Sequence, residues 1–279
     1  MTSGSHVQDH ASTEQAAQSG GILERIWLFP VKSLDGVRVA SAQITAAGAL
    51  LHDREFALFD ADERYVNAKR HARIHLIRAR FQSDAPLRVE LSAPDRPVLR
   101  ADLADSADVA RAATWFSDWF DFPVTIRRAA DSGFPDDTKR PGPTVVSRAS
   151  LETASEWLSP LTADELAERF RANLEVAGVP AFWEDRLLAP EGVPFRVGAI
   201  EMTGLNPCAR CVVPTRDPRT AELHDKFAQT FTARRKASLP EWADANLFSH
   251  YYRISTNTSI DARHAGATIR EGDSVSLAS

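Results

Sequence analysis

The chain has 279 residues, 43% hydrophobic and 25% charged, enough apolar material for one large or two interlocked domains with a packed core. A net charge of -5 argues against wholesale binding to nucleic acid or an anionic membrane, and no apolar run of about 18 residues reads as a membrane-spanning helix. Two cysteines make no disulfide framework in a chain this long, so a reducing, cytoplasmic setting is expected.

Residues 1–20 are rich in Ser, Gln, Ala, His and Asp, with neither a basic n-region nor an apolar h-region. They read as a disordered tail, not as a signal or an anchor. From Ile22 the pattern turns to short β-type runs broken by turn residues: 22–31, 37–45, 55–59, 76–81, 87–92 and 124–128. Such spacing predicts an antiparallel barrel or sandwich, with Asp60-Ala61-Asp62-Glu63 and Pro94-Asp95-Arg96-Pro97 as turns. One helix interrupts the series. With Ser106 as N-cap, Val109, Ala112, Ala113, Phe116 and Phe120 share a face beside Trp115 and Trp119, an aromatic stripe expected to be core.

The stretch 131–143 carries two glycines, three prolines and several charges and reads as a loop, so the domain boundary is placed there: 21–142 and 143–279. A strand is expected at 144–147, then a helix capped by Ser150 and running to Leu158. A second helix opens at Thr162, whose spacing to Glu165 forms a capping box. Strands are expected at 174–177, 186–188 and 195–205, a helical segment at 221–231, and closing strands at 246–255 and 268–277, with a tight turn at Glu271-Gly272-Asp273. The fold class expected is α+β, predominantly β: a small N-terminal β-barrel-like domain packed on a C-terminal β-barrel with helical excursions.

Both cysteines lie in Asn206-Pro207-Cys208-Ala209-Arg210-Cys211-Val212-Val213-Pro214-Thr215-Arg216-Asp217-Pro218. Two thiols at this spacing suit zinc, a redox dithiol, a thiolate ligand for another metal, or two inert buried side chains. Zinc lacks a second ligand pair. A reactive dithiol wants a helix N-terminus, whereas Cys211 runs into what reads as a strand end. Arg210 and Arg216 favour the thiolate, the form that ligates soft metals.

This stretch resembles the signature of the MOSC domain, the module shared by molybdenum-cofactor sulfurases and amidoxime-reducing proteins. Phe29-Pro30-Val31-Lys32-Ser33-Leu34-Asp35-Gly36 and Leu51-His52-Asp53-Arg54-Glu55 resemble the family's N-terminal β-barrel domain, so the resemblance runs from about Gly21 to Ser279. It implies that Cys211 is the molybdenum ligand and the catalytic position, and that a molybdopterin cofactor is held by Lys32, Ser33, Arg54, Ser147, Ser150, Arg171, Asn173, Arg210 and Tyr251. The chain departs from the family pattern at Ala172, Ser249 and Ala221, which stand where proline, glycine and glycine are usual. Other roles stay open beside these. Arg54 also suits an ion pair with Asp53 or Glu55, Ser147 and Ser150 suit plain helix capping, and Asp217 suits either a turn or a brace for Arg210 or Arg216. His250 is a candidate proton donor because an imidazole titrates near neutrality.

The resemblance implies an oxidoreductase that reduces amidoximes, hydroxylamines and N-hydroxy bases. With no iron–sulfur cysteine set and no dinucleotide fingerprint, a separate reductase or iron–sulfur partner is the expected electron donor. The alternative is a cofactor carrier or sulfur-transfer module. Relatives fused to pyridoxal-phosphate desulfurases motivate it, although this chain shows no such domain.

Overall fold

The strand β1 (Gly21–Leu28) shows why this chain folds around a barrel: Leu23, Ile26 and Leu28 are buried while Ile22 is exposed, and both of its edges are paired. Its description comes from a computed structural model covering residues 20–137 and 140–278; the tail expected at 1–20 lies outside the described residues apart from Gly20. Seven strands close on themselves. Around the ring, β1 pairs with β10 (Leu174–Ala177), then follow β9 (Val145–Ser147), β13 (Arg253–Ile260), β12 (Ile200–Ala209), β11 (Val193–Val197) and β15 (Ser274–Leu277), which returns to β1. All neighbours are antiparallel except β9 and β10. Closure removes the unpaired edges an open sheet would expose. Leu23, Ile26, Leu174, Phe195, Met202 and Val275 fill the interior.

The first strand of the segment 21–142 is thus a stave of the barrel built mainly by 143–279, and β2 (Val37–Val39) extends that sheet from β1. A short ladder of β3 (Ser41–Gln43) with β14 (Thr268–Arg270) ties the same two segments again. The rest of the N-terminal part is β4 (Phe56–Phe59) paired with β8 (Thr125–Arg128), and a sheet of β5 (Arg78–Phe81), β6 (Arg88–Ser92) and β7 (Leu99–Asp102). The helix α1 (Ser106–Phe120) covers this core, burying Ala112, Trp115, Phe116, Trp119 and Phe120 as its stripe predicted. Its cap is Asp105, whose carboxylate accepts from the N–H groups of Ala107 and Asp108.

Helices α2 (Arg148–Trp157), α3 (Ala163–Phe170) and α4 (Phe227–Ala237) form a third core with Leu151, Leu166, Phe170, Phe227 and Phe231. The capping box at Thr162 and Glu165 closes in both directions. With four helices among the described residues and fifteen strands, the protein has the expected α+β, predominantly β architecture.

Several boundaries differ from the sequence reading. The run 195–205 is a hairpin of two strands turning at Gly198, which has φ +56, because a left-handed residue reverses the chain there. The run 186–188 belongs to a one-turn 3-10 segment, Trp183–Leu187. The last helix begins at Phe227 instead of 221, since Ala221 and Lys226 adopt positive φ. Past the cysteines, β12 stops at Ala209, and Val213–Thr215 is a 3-10 turn with proline in its first turn, where a missing N–H leaves no bond unmade.

Candidate functional site

A cavity of about 650 Å³ opens between the N-terminal core and the barrel. Its wall carries ten arginines and two lysines against four aspartates and one glutamate, a strongly cationic lining in a protein of net charge -5. Nine of the twelve cations have a carboxylate partner within 4.0 Å. The three without one among the described residues are Arg171, Arg210 and Arg216. Unbalanced positive charge in a walled cavity is the electrostatic requirement for an anionic ligand.

Lys32, Ser33, Arg54, Arg171, Asn173, Arg210 and Cys211 all line this cavity, although they come from four separate stretches of the chain. Lys32 leaves the end of β1, donating to the Phe134 carbonyl at 2.9 Å and to Asp136 at 2.7 Å. Burial lowers its pKa, and Asp136 opposes that shift. Ser33 and Arg54 both hold left-handed backbones, with φ +72 and +50, and Arg171 does the same at φ +55. Such conformations are uncommon for residues with a Cβ, and three of them converge on one cavity.

Arg54 is clamped: its guanidinium donates to Asp53, to Asn173 Oδ1 at 3.3 Å and to the Arg171 carbonyl at 3.2 Å. The ion pair weighed from sequence therefore forms, and does so within the cavity wall. Asn173 is 1% exposed and knits the two parts of the chain together, accepting from the Thr144 N–H at 3.1 Å and donating to the Trp27 carbonyl at 3.0 Å.

Arg171 ends α3 and packs its guanidinium 4.1 Å from the centre of the Phe29 ring. It is partly buried and lines the cavity. Burial pushes its pKa down to about 9, with Arg54 adding to the shift and Asp35, Asp53 and Asp136 opposing it. Arg169, two residues earlier, is the opposite case. It is 4% exposed and held by three acceptors, the carbonyls of Pro214 at 3.2 Å and Arg216 at 2.5 Å and the carboxylate of Asp217 at 3.2 Å, while its Nε has no partner among the described residues. Asp217 also accepts from the N–H groups of Arg219 and Thr220, so it both shapes its turn and braces Arg169.

Cys208 and Cys211 are free and partly exposed, and both face the cavity. Arg210 donates to Cys208 Sγ at 3.0 Å and to the Phe170 carbonyl. No group of three or more His, Cys, Asp or Glu side chains that would hold a metal ion occurs among the described residues.

Ser147, Ser150 and Tyr251 are not in this wall. Ser147 caps α2 and is fully buried, its Oγ accepting from the Ser150 N–H at 3.0 Å. Ser150 donates to Glu184 at 2.9 Å, and Glu184 also accepts from the Ser147 N–H. Capping therefore accounts for Ser147 alone: Ser150, the cap expected from sequence, sits inside the first turn of α2, where its hydroxyl donates to Glu184 and accepts from the Phe182 N–H. Tyr251 stacks on Phe248, rings 5.9 Å apart, and His250 uses Nδ1 to accept from the Tyr252 N–H. Its neighbour Tyr252 buries an unpaired hydroxyl, and burial raises the phenol pKa, with Arg210 opposing and Cys211 adding to the shift. Sequence reasoning also passed over His75 and over the cavity-facing role of Arg216. The signal for His75 was a polar residue inside the apolar run Ile74-His75-Leu76-Ile77.

Residues 20–131 match the MOSC N-terminal beta barrel domain, and residues 143–276 match the MOSC domain. The chain is 25% identical over 273 residues to mitochondrial amidoxime reducing component 2 of Bos taurus, covering 85% of this chain and 80% of the relative. It is 23% identical over 299 residues to mitochondrial amidoxime-reducing component 1 of Homo sapiens, covering 93% and 84%. It is 26% identical over 219 residues to the molybdenum cofactor sulfurase of Caenorhabditis elegans, covering 71% of this chain and 29% of that protein.

Proposed function

The chain belongs to the MOSC family, and from that premise we propose that it is a molybdenum-cofactor oxidoreductase reducing N-hydroxylated substrates in the cavity beside Cys211. The observation that carries this reading is the meeting, in one cavity, of a partly exposed thiol with Arg171 and Arg210, which have no carboxylate partner among the described residues. A pterin cofactor with a terminal phosphate and a soft metal needs those two things of a protein. The residues present therefore fit the group.

Cys211 would contribute the thiolate ligand. Arg171 and Arg210 would contribute charge-assisted hydrogen bonds to the anionic parts of the cofactor, joined by Lys32, Ser33 and Arg54. Asn173 acts one step back by fixing Arg54. The cofactor would supply two-electron redox chemistry that no side chain provides. Phe29 and Phe170 set apolar rings against the guanidinium groups of Arg171 and Arg210, 4.1 and 5.5 Å from the ring centres, which lowers the local dielectric on one face of each charge. In the net reaction the N–O bond breaks, two electrons and two protons are consumed, and the oxygen leaves as water. The electrons would come from a separate reductase or iron–sulfur protein, since the sequence has two cysteines and no dinucleotide fingerprint.

The test is benzamidoxime reduction with reduced viologen as donor, using protein from a host that makes the cofactor. Turnover supports the oxidoreductase reading. Stoichiometric molybdenum without turnover on any N-hydroxy substrate favours instead a carrier or sulfur-transfer module, the reading that similarity to a cofactor sulfurase motivates.

A further inference from the structure

His75 lies on the one-turn segment Ala72–Leu76 of the N-terminal part and lines the cavity, yet it is only 9% exposed, and Nε2 has no hydrogen-bond partner among the described residues. Its neighbours Ile74 and Ile77 are 1% exposed, so an apolar side chain would suit the position better. An unpaired buried polar group costs about 1–3 kcal/mol. Burial, then the charges of Arg216, Arg171, Arg78 and Arg169, hold the imidazole pKa at about 4, so the ring is neutral near pH 7 and serves as a hydrogen-bonding group.

Two of those arginines are spoken for by carboxylates, Arg78 by Asp35 and Arg169 by Asp217. Arg216 is not. One of its nitrogens donates to the Ala68 carbonyl at 2.9 Å, and the guanidinium has no carboxylate partner among the described residues. It follows Cys211 across the turn Val213–Thr215 and lines the same cavity as His75 and the thiol, and among the arginines it is the largest charge acting on the imidazole. Neither residue is among those assigned to the cofactor.

We propose that His75 and Arg216 form an oxyanion-recognising subsite of the cavity that selects N-oxygenated substrates bearing a carboxylate. The selection rests on the reading of the cavity as the site of N-hydroxy reduction. A guanidinium with a neutral imidazole beside it matches a carboxylate in charge and in donor geometry, and gives a neutral substrate nothing comparable.

Calorimetric binding of 4-carboxybenzamidoxime and of benzamidoxime to the full chain, as purified and without electron donor, tests this. The wild type is expected to bind the carboxylate probe at least about tenfold more tightly, as a charge-assisted hydrogen bond of about 1.5–3 kcal/mol implies. Arg216→Gln and His75→Phe are each expected to shrink that preference below about threefold, with benzamidoxime affinity and pterin content unchanged. In the wild type alone, the preference should fall as salt rises. Equal affinities in the wild type, or an undiminished preference in both variants, overturn the proposal. So does loss of pterin from the variants, which would give the subsite to the cofactor. Because binding is read without turnover, a protein that keeps the preference but never reduces an N-hydroxy compound refutes the oxidoreductase reading and leaves the subsite standing.

Discussion

Replacing Arg171 with methionine should stabilise the cofactor-free protein and weaken its hold on the cofactor. Arg171 packs on Phe29 and lines the cavity without an ion pair among the described residues. A drop in pKa from 12.5 to about 9 marks the strain of holding its charge there. At about 1.4 kcal/mol per unit the ceiling is about 5 kcal/mol. Water in the cavity screens most of this, and losing the ring contact removes about 0.5–1 kcal/mol. The expected net gain is about 1 kcal/mol, measured by urea unfolding of protein from a cofactor-deficient host, with φ +55 retained in both proteins. In the loaded protein the variant should lose pterin at least about tenfold faster on dialysis. Arg169→Met is the control of opposite sign. It takes the donor from two carbonyls and one of three donors from the partly exposed Asp217, and should cost about 2–4 kcal/mol. If Arg171→Met instead destabilises the cofactor-free protein by that much and keeps its pterin, Arg171 is a structural arginine and the reasoning fails.

Glu184 should make stability fall with rising pH. Burial, then Asp185, lifts its folded pKa to about 7 from 4.5, so its contribution is intact below about 4.5 and is lost as pH rises through 7, by at most about 3 kcal/mol. Glu184→Gln keeps an acceptor for Ser147 and Ser150 and should flatten the stability profile between pH 5 and 8; an unchanged slope would assign it elsewhere. Lys32→Met should reduce cofactor retention less than Arg171→Met, since Asp136 already offsets the lysine charge; equal losses in a pterin assay would contradict this. NADH alone should not drive benzamidoxime reduction, whereas reduced viologen should; turnover with NADH and no second protein would reveal a missed cofactor site.

Local chemistry was legible from sequence, and long-range placement was not. The box at Thr162 and Glu165 and the buried stripe of α1 depend on residues three or four apart, which a sequence displays directly. The N-terminal strand's place in the barrel depends on pairing Ile26 with Leu174, far along the chain, and no local pattern encodes that. The same divide runs through the site. The motifs named Lys32, Arg54, Arg171 and Cys211, but only the fold shows that Asp136 and Asp53 pair with the first two while Arg171 has no carboxylate partner among the described residues. Ser147 and Ser150 read equally well as anion ligands and as caps, and the choice turned on Glu184, which buries its carboxylate against both.

The most direct test of the account is the molybdenum and pterin content of wild-type and Cys211→Ser protein, purified in parallel from a host that makes the cofactor, with Cys208→Ala as companion. The account predicts about one molybdenum per chain in the wild type, most of it retained in Cys208→Ala, and loss of the metal or its activity in Cys211→Ser. Wild-type protein without molybdenum, or equal metal and turnover in wild type and Cys211→Ser, would contradict it.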